Sequence, residues 1–133
     1  MKKILAVVLT LSLVLAFAGS AMADRNRFDI VTTSTTSFQT GCSVEKKTDN
    51  HWFVRLDEEM SNLSSTHRAV CRVHQGSTAI SPTWVYSGPN ETDRSYNTGY
   101  QGEQRNISFR GRLDNRDSGT LEFHGYFHHS YGF

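Results

Sequence analysis

Ile107-Ser108-Phe109-Arg110-Gly111-Arg112-Leu113, followed by Asp114-Asn115-Arg116-Asp117-Ser118-Gly119 and then Leu121-Glu122-Phe123-His124-Gly125-Tyr126-Phe127-His128, is the stretch that decides the fold. In both outer runs an apolar residue or glycine occupies every second position, the period of a strand with one buried face. The segment between them is made of turn formers, so the two runs read as a β-hairpin.

The same period recurs upstream. Trp52, Val54 and Leu56 share one face while His51, Phe53 and Arg55 share the other. Ala69, Cys71 and Val73 alternate with Arg68, Val70, Arg72 and His74, and Cys42 with Val44 forms a similar apolar row. Weaker strands are expected at Phe28–Thr33, Thr83–Ser87 and Ser95–Tyr100, with a turn at Ser87-Gly88-Pro89-Asn90. Six to eight short strands in about 110 residues predict an all-β fold, a small antiparallel two-sheet sandwich, with a small β-barrel as the alternative.

The strands begin after a different kind of segment. Lys2 and Lys3, the apolar run Ile4 to Phe17 and the motif Ala21-Met22-Ala23 form the three parts of a signal peptide. The expected organisation is residues 1–23 as signal peptide and 24–133 as a single β-sandwich domain, secreted, without a membrane span after processing. The full chain carries a formal charge of +1. Removing Lys2 and Lys3 leaves twelve basic side chains against thirteen acidic ones, a formal charge of −1. So balanced a chain lacks the positive field that nucleic acid or an anionic membrane requires. Its one basic concentration, Arg105, Arg110, Arg112 and Arg116, is interrupted by Asp114 and Asp117 and reads as a solvated strand face.

Two cysteines in an exported chain predict one disulfide, Cys42 to Cys71, and both sit in apolar rows. The layout Glu45-Lys46-Lys47-Thr48-Asp49 leading into Trp52-Phe53-Val54-Arg55-Leu56, then Arg72-Val73-His74-Gln75-Gly76-Ser77, resembles small exported β-rich proteins of unknown function from Gram-positive bacteria. Gly119 and Gly125-Tyr126-Phe127 echo the glycine and aromatic of their closing hairpin strand, whereas His128–Phe133 departs from their usual ending. The resemblance implies export and a β-fold and carries over no activity.

The search for chemistry is negative. No G-x-S-x-G elbow, H-E-x-x-H, phosphate-binding glycine loop or C-x-x-C pair is present. Asp57-Glu58-Glu59 reads as a solvated loop, and Asp114–Gly119 lacks the register of a calcium loop. On a strand, His124 and His128 lie about 13 Å apart, too far to share one ion. Zinc or copper would need His128 or His129 with His51, His67 or His74, and no metal or cofactor is assigned. The chain is therefore read as a monomeric, non-enzymatic binding protein for an extracellular or cell-surface protein or glycan. A secreted bacteriocin-like antagonist or toxin is the alternative. The expected binding surface is Trp84, Tyr86, Tyr96 and Tyr100, which would hold a target by aromatic burial and with little sensitivity to salt.

Overall fold

In the computed structural model, residues 25–88 and 93–129 are described, and the expected signal peptide lies outside them. Among the described residues nine strands follow one another: β1 (Arg25–Thr32), β2 (Gln39–Lys47), β3 (His51–Leu56), β4 (Ala69–Gln75), β5 (Thr78–Ala79), β6 (Trp84–Tyr86), β7 (Asp93–Ser95), β8 (Gln104–Leu113) and β9 (Leu121–His128). They form two antiparallel sheets, one ordered β1-β9-β3-β7 and the other β2-β8-β4-β5 with β6 also on β4. The sheets are not closed into a barrel, so the sandwich expected from the alternation is the observed fold.

The pairing is nested. β1 pairs β9, β2 pairs β8, β3 pairs β7, and β4 pairs β5 and β6. At the centre of the nest, Gly76 and Ser77 turn β4 into β5, and Gly76 supplies the positive φ of 59° that a two-residue hairpin turn needs. β5 and β6 each pair part of β4 and together fill one strand position. Counted so, eight positions alternate between sheets except at the β4–β5 turn, in the order of a jelly roll, a long hairpin folded over on itself.

This topology corrects the hairpin expected at 107–128. β8 and β9 belong to different sheets, and the turn-forming Asp114–Gly119 carries the chain across the sandwich. Its carboxylates brace that crossing. Asp117 takes a two-point contact from the Arg68 guanidinium, at 2.7 and 3.0 Å, and a third bond from the Arg68 backbone. Asp114 takes a matching pair from Arg116 at 2.8 and 2.9 Å.

The expected Cys42 to Cys71 disulfide is also corrected, since both thiols are free. Cys42 pairs with Phe109 and Cys71 with Gly111, so both side chains do face the core, but from strands that flank β8. Two strand spacings of about 4.8 Å separate their backbones, beyond the ~7 Å that a bridge can span.

The core lies between the sheets. Phe109 projects from the five-stranded sheet, with its ring centroid 4.9 Å from Phe28, 5.1 Å from Phe127 and 5.8 Å from Trp52 of the other. Each of these side chains is fully buried. Where β1 crosses the second sheet, Ile30 rests on two glycines. A Cβ built at Gly41 or Gly111 would approach the Ile30 side chain to 2.9 Å, so the close sheet contact requires both residues to lack one.

Candidate functional site

The four aromatics expected to bind a target do not form an exposed face. Tyr86 and Tyr96 are core residues, 1% and 2% exposed, and burial raises both phenol pKa values far above the ordinary range. Tyr96 donates its hydroxyl to the His129 carbonyl at 3.0 Å. Trp84 and Tyr100 are half-buried against the core, and the Arg94 guanidinium covers the Trp84 ring at 4.0 Å.

Lys47, in the charged run Glu45–Asp49, is fully buried. Its ammonium donates to the carbonyls of Tyr100, Gly102 and Asp49, the last two at 2.8 and 3.2 Å, and lies 3.9 Å over the Tyr96 ring. Desolvation pushes its pKa down to about 8. This residue pins the loop before β8.

The histidines are engaged structurally. His124 Nδ1 lies 2.8 Å from Asp29 Oδ1, and that hydrogen bond is the main cause holding the Asp29 carboxyl below its usual range. The neighbouring Ser61 hydroxyl bonds the backbone N–H and carbonyl of His124, not its ring, so these three residues lack the geometry of an activated nucleophile. His128 stacks flat on Phe53 with centroids 4.0 Å apart. Among the described residues no three metal-ligating side chains converge.

What the fold does assemble is a basic face on the outside of the five-stranded sheet. With Ile107, Phe109 and Leu113 buried in the core, Ser108, Arg110 and Arg112 point outward, as do Val70, Arg72 and His74 of β4. Register stacks them in rows: Ser43, Ser108 and His74 in one; Thr40, Arg110 and Arg72 in the next; Arg112, Val70 and Val85 in the third. Arg72 and Arg110 are thus direct cross-strand neighbours, a like-charge pair that costs stability when nothing balances it.

Only neutral groups hold these guanidiniums. Arg72 lies 4.0 Å over the Phe38 ring and donates from Nε to His74 Nε2 at 2.7 Å. Arg112 approaches the same ring at 5.1 Å and donates to the Thr35 and Leu113 carbonyls. Arg110 donates to the Ser108 hydroxyl at 2.9 Å and the Gly76 carbonyl at 3.0 Å. Among the described residues no carboxylate pairs with any of the three, whereas Arg68 and Arg116 have Asp117 and Asp114, and Arg105 has Glu103. Burial, reinforced by Arg110 and Arg72, lowers the His74 pKa and favours the neutral ring that accepts from Arg72.

Sequence reading found Arg110 and Arg112 but grouped them with Arg105 and Arg116, which are ion-paired. It missed Arg72, whose outward parity with His74 in the run 68–74 was the available signal. No protein-family model matches the chain, and no curated protein and no solved structure matches it.

Proposed function

We propose that this protein is a secreted, non-enzymatic binding module that holds an anionic extracellular glycan against the outer face of its five-stranded sheet. The observation that carries this reading is the set of three guanidiniums, Arg72, Arg110 and Arg112, fixed in place without a balancing carboxylate among the described residues. An anionic ligand would relieve their mutual repulsion and accept from donors already oriented, so little ordering entropy is spent on binding. A glycan fits better than nucleic acid. The face adds hydroxyls from Thr40 and Ser43, the aromatic ring on it, Phe38, is already covered by Arg72, and the nearly neutral chain offers no long-range field for a dense polyanion.

Retention on immobilised polygalacturonate, with neutral dextran as control, tests the reading. Binding is expected in 0.05 M salt, and to weaken about tenfold or more in 0.5 M salt, where the Debye length is about 4 Å. The double variant Arg72→Gln, Arg112→Gln should lose retention while keeping its thermal midpoint within a few degrees. Equal retention on dextran overturns the proposal, as does retention by the double variant. Salt-independent binding abolished by Trp84→Ala also overturns it, in favour of aromatic recognition.

A further inference from the structure

One end of the basic face is not flat. A cleft of about 240 Å³ opens there, lined by Ser43 and Glu45 of β2, Gly76 of the β4–β5 turn, and Asn106, Ser108 and Arg110 of β8. It lies where the β2–β8 ladder lacks one pair. Val44 pairs with Ile107 and Lys46 with Arg105, but Glu45 and Asn106 form no pair between them. Asn106 sits at φ 54°, the left-handed region that a non-glycine residue occupies at a cost.

Two chemically different walls face this space. On one, Arg110 is anchored through Nε to Ser108 and through one terminal nitrogen, Nη2, to the Gly76 carbonyl, which leaves Nη1 without a protein partner among the described residues. On the other, Ser43, Glu45 and Asn106 line the cleft, and their side chains make no hydrogen bond to another described residue. A guanidinium selects an anion, and an unengaged carboxylate beside a hydroxyl and an amide selects neutral hydroxyl groups.

We propose that this cleft is a subsite for a single sugar unit bearing one carboxylate, a uronic acid. Arg110 takes the carboxylate, while Glu45, Ser43 and Asn106 take ring hydroxyls. Glu45 also repels a second negative charge, which disfavours inorganic sulfate or phosphate. The volume lies below the ~300–1,000 Å³ of pockets for drug-sized ligands, room for one small unit and not an oligomer. A second cleft, about 420 Å³, shares Ser43, Val44 and Glu45 and is also lined by Asn26 and His129, so the next unit of a polymer has space beside the first. The proposal rests on the anionic-glycan reading and names the unit that the face selects.

The test is an NMR titration of the full mature chain with galacturonic acid, galactose and sodium sulfate in parallel. Galacturonic acid should shift the backbone amides of residues 43–45 and 106–110, and galactose should bind at least about tenfold more weakly, the loss expected when a charged hydrogen bond is absent. Arg110→Gln should lose galacturonic acid binding by a similar factor. Glu45→Gln should weaken the sugar acid while strengthening sulfate. Equal binding of galactose, equal binding of sulfate, shifts confined to other residues, or an Arg110→Gln variant that binds normally each overturn the subsite. If galacturonic acid fails to bind while polygalacturonate is still retained through Arg72 and Arg112, the subsite falls and the parent reading stands. If both fail, both fall.

Discussion

Replacing Gly111 with Ala places a methyl group 2.9 Å from Ile30 Cδ1 and 3.4 Å from Cys71 Sγ, in a fully enclosed contact between the sheets. Overpacking of this kind costs about 1–3 kcal/mol. The lost glycine freedom of the unfolded chain returns about 0.4–1 kcal/mol. The expected net loss for Gly111→Ala is therefore about 0.5–2 kcal/mol. Ile30→Val removes the clashing Cδ1 atom itself and alone costs about 0.5–1.5 kcal/mol. In the double variant the alanine methyl occupies the space the isoleucine gave up, so stability should return close to that of Ile30→Val, a favourable coupling of about 0.5–2 kcal/mol. Gly41→Ala is the control. There Ile30→Val removes only the Cδ1 contact at 3.0 Å and leaves Ile30 Cγ1 at 2.9 Å and Phe28 Cβ at 3.0 Å in place, so the rescue should be smaller. Urea unfolding of the wild type and the five variants measures each term. Additivity of Gly111→Ala and Ile30→Val within about 0.5 kcal/mol refutes the packing argument. Equal rescue of Gly41→Ala refutes it as well.

The acid limb of the stability curve should depend on the inter-sheet crossing. Hydrogen bonds from Arg116 and Arg68 hold the Asp114 and Asp117 carboxyls below their usual range, so their contribution is present above about pH 4 and is lost as pH falls toward the folded-state values. Asp114→Asn with Asp117→Asn should lower stability at neutral pH and flatten that limb, and a limb of unchanged slope would contradict the assignment. Burial pushes the Cys42 thiol up to about 12 and the Cys71 thiol well above its ordinary value. Iodoacetamide should therefore label neither quickly at pH 7.5 and both after unfolding without reductant, as read by intact mass; a protein two mass units light that takes no label when unfolded would restore the disulfide.

Strand existence was legible because alternation is local. Trp52, Val54, Ala69, Cys71, Val73, Phe109 and Phe123 all enter the core from the faces their parity assigned. Partner choice was not legible, because Asp114–Gly119 has the composition of a tight turn whether its flanking strands pair or part. In the folded chain the Asp117 ion pair ties that segment to Arg68, which lies some fifty residues upstream. The disulfide expectation failed for the same reason: parity placed both sulfurs on one face, but β8 between them is a tertiary fact. The basic face was half visible. Arg110 and Arg112 stand in one run, but Arg72 joins them only once β4 pairs β8, and the burial of Lys47 follows only from the loop carbonyls that close around it.

The nested pairing also sets the order in which the domain can be completed. Arg25 at the start of β1 pairs with His128 at the end of β9. At synthesis rates of about 5–20 residues per second, β1 waits roughly 5–20 s for its partner, and folds rich in distant pairings are slow even afterwards. During that interval β1 is a bare edge, open to wrong association. Because β9 lies between β1 and β3, a chain cut short before Leu121 loses an inner strand of one sheet and strands β1, so truncation yields an incomplete sandwich instead of a smaller domain.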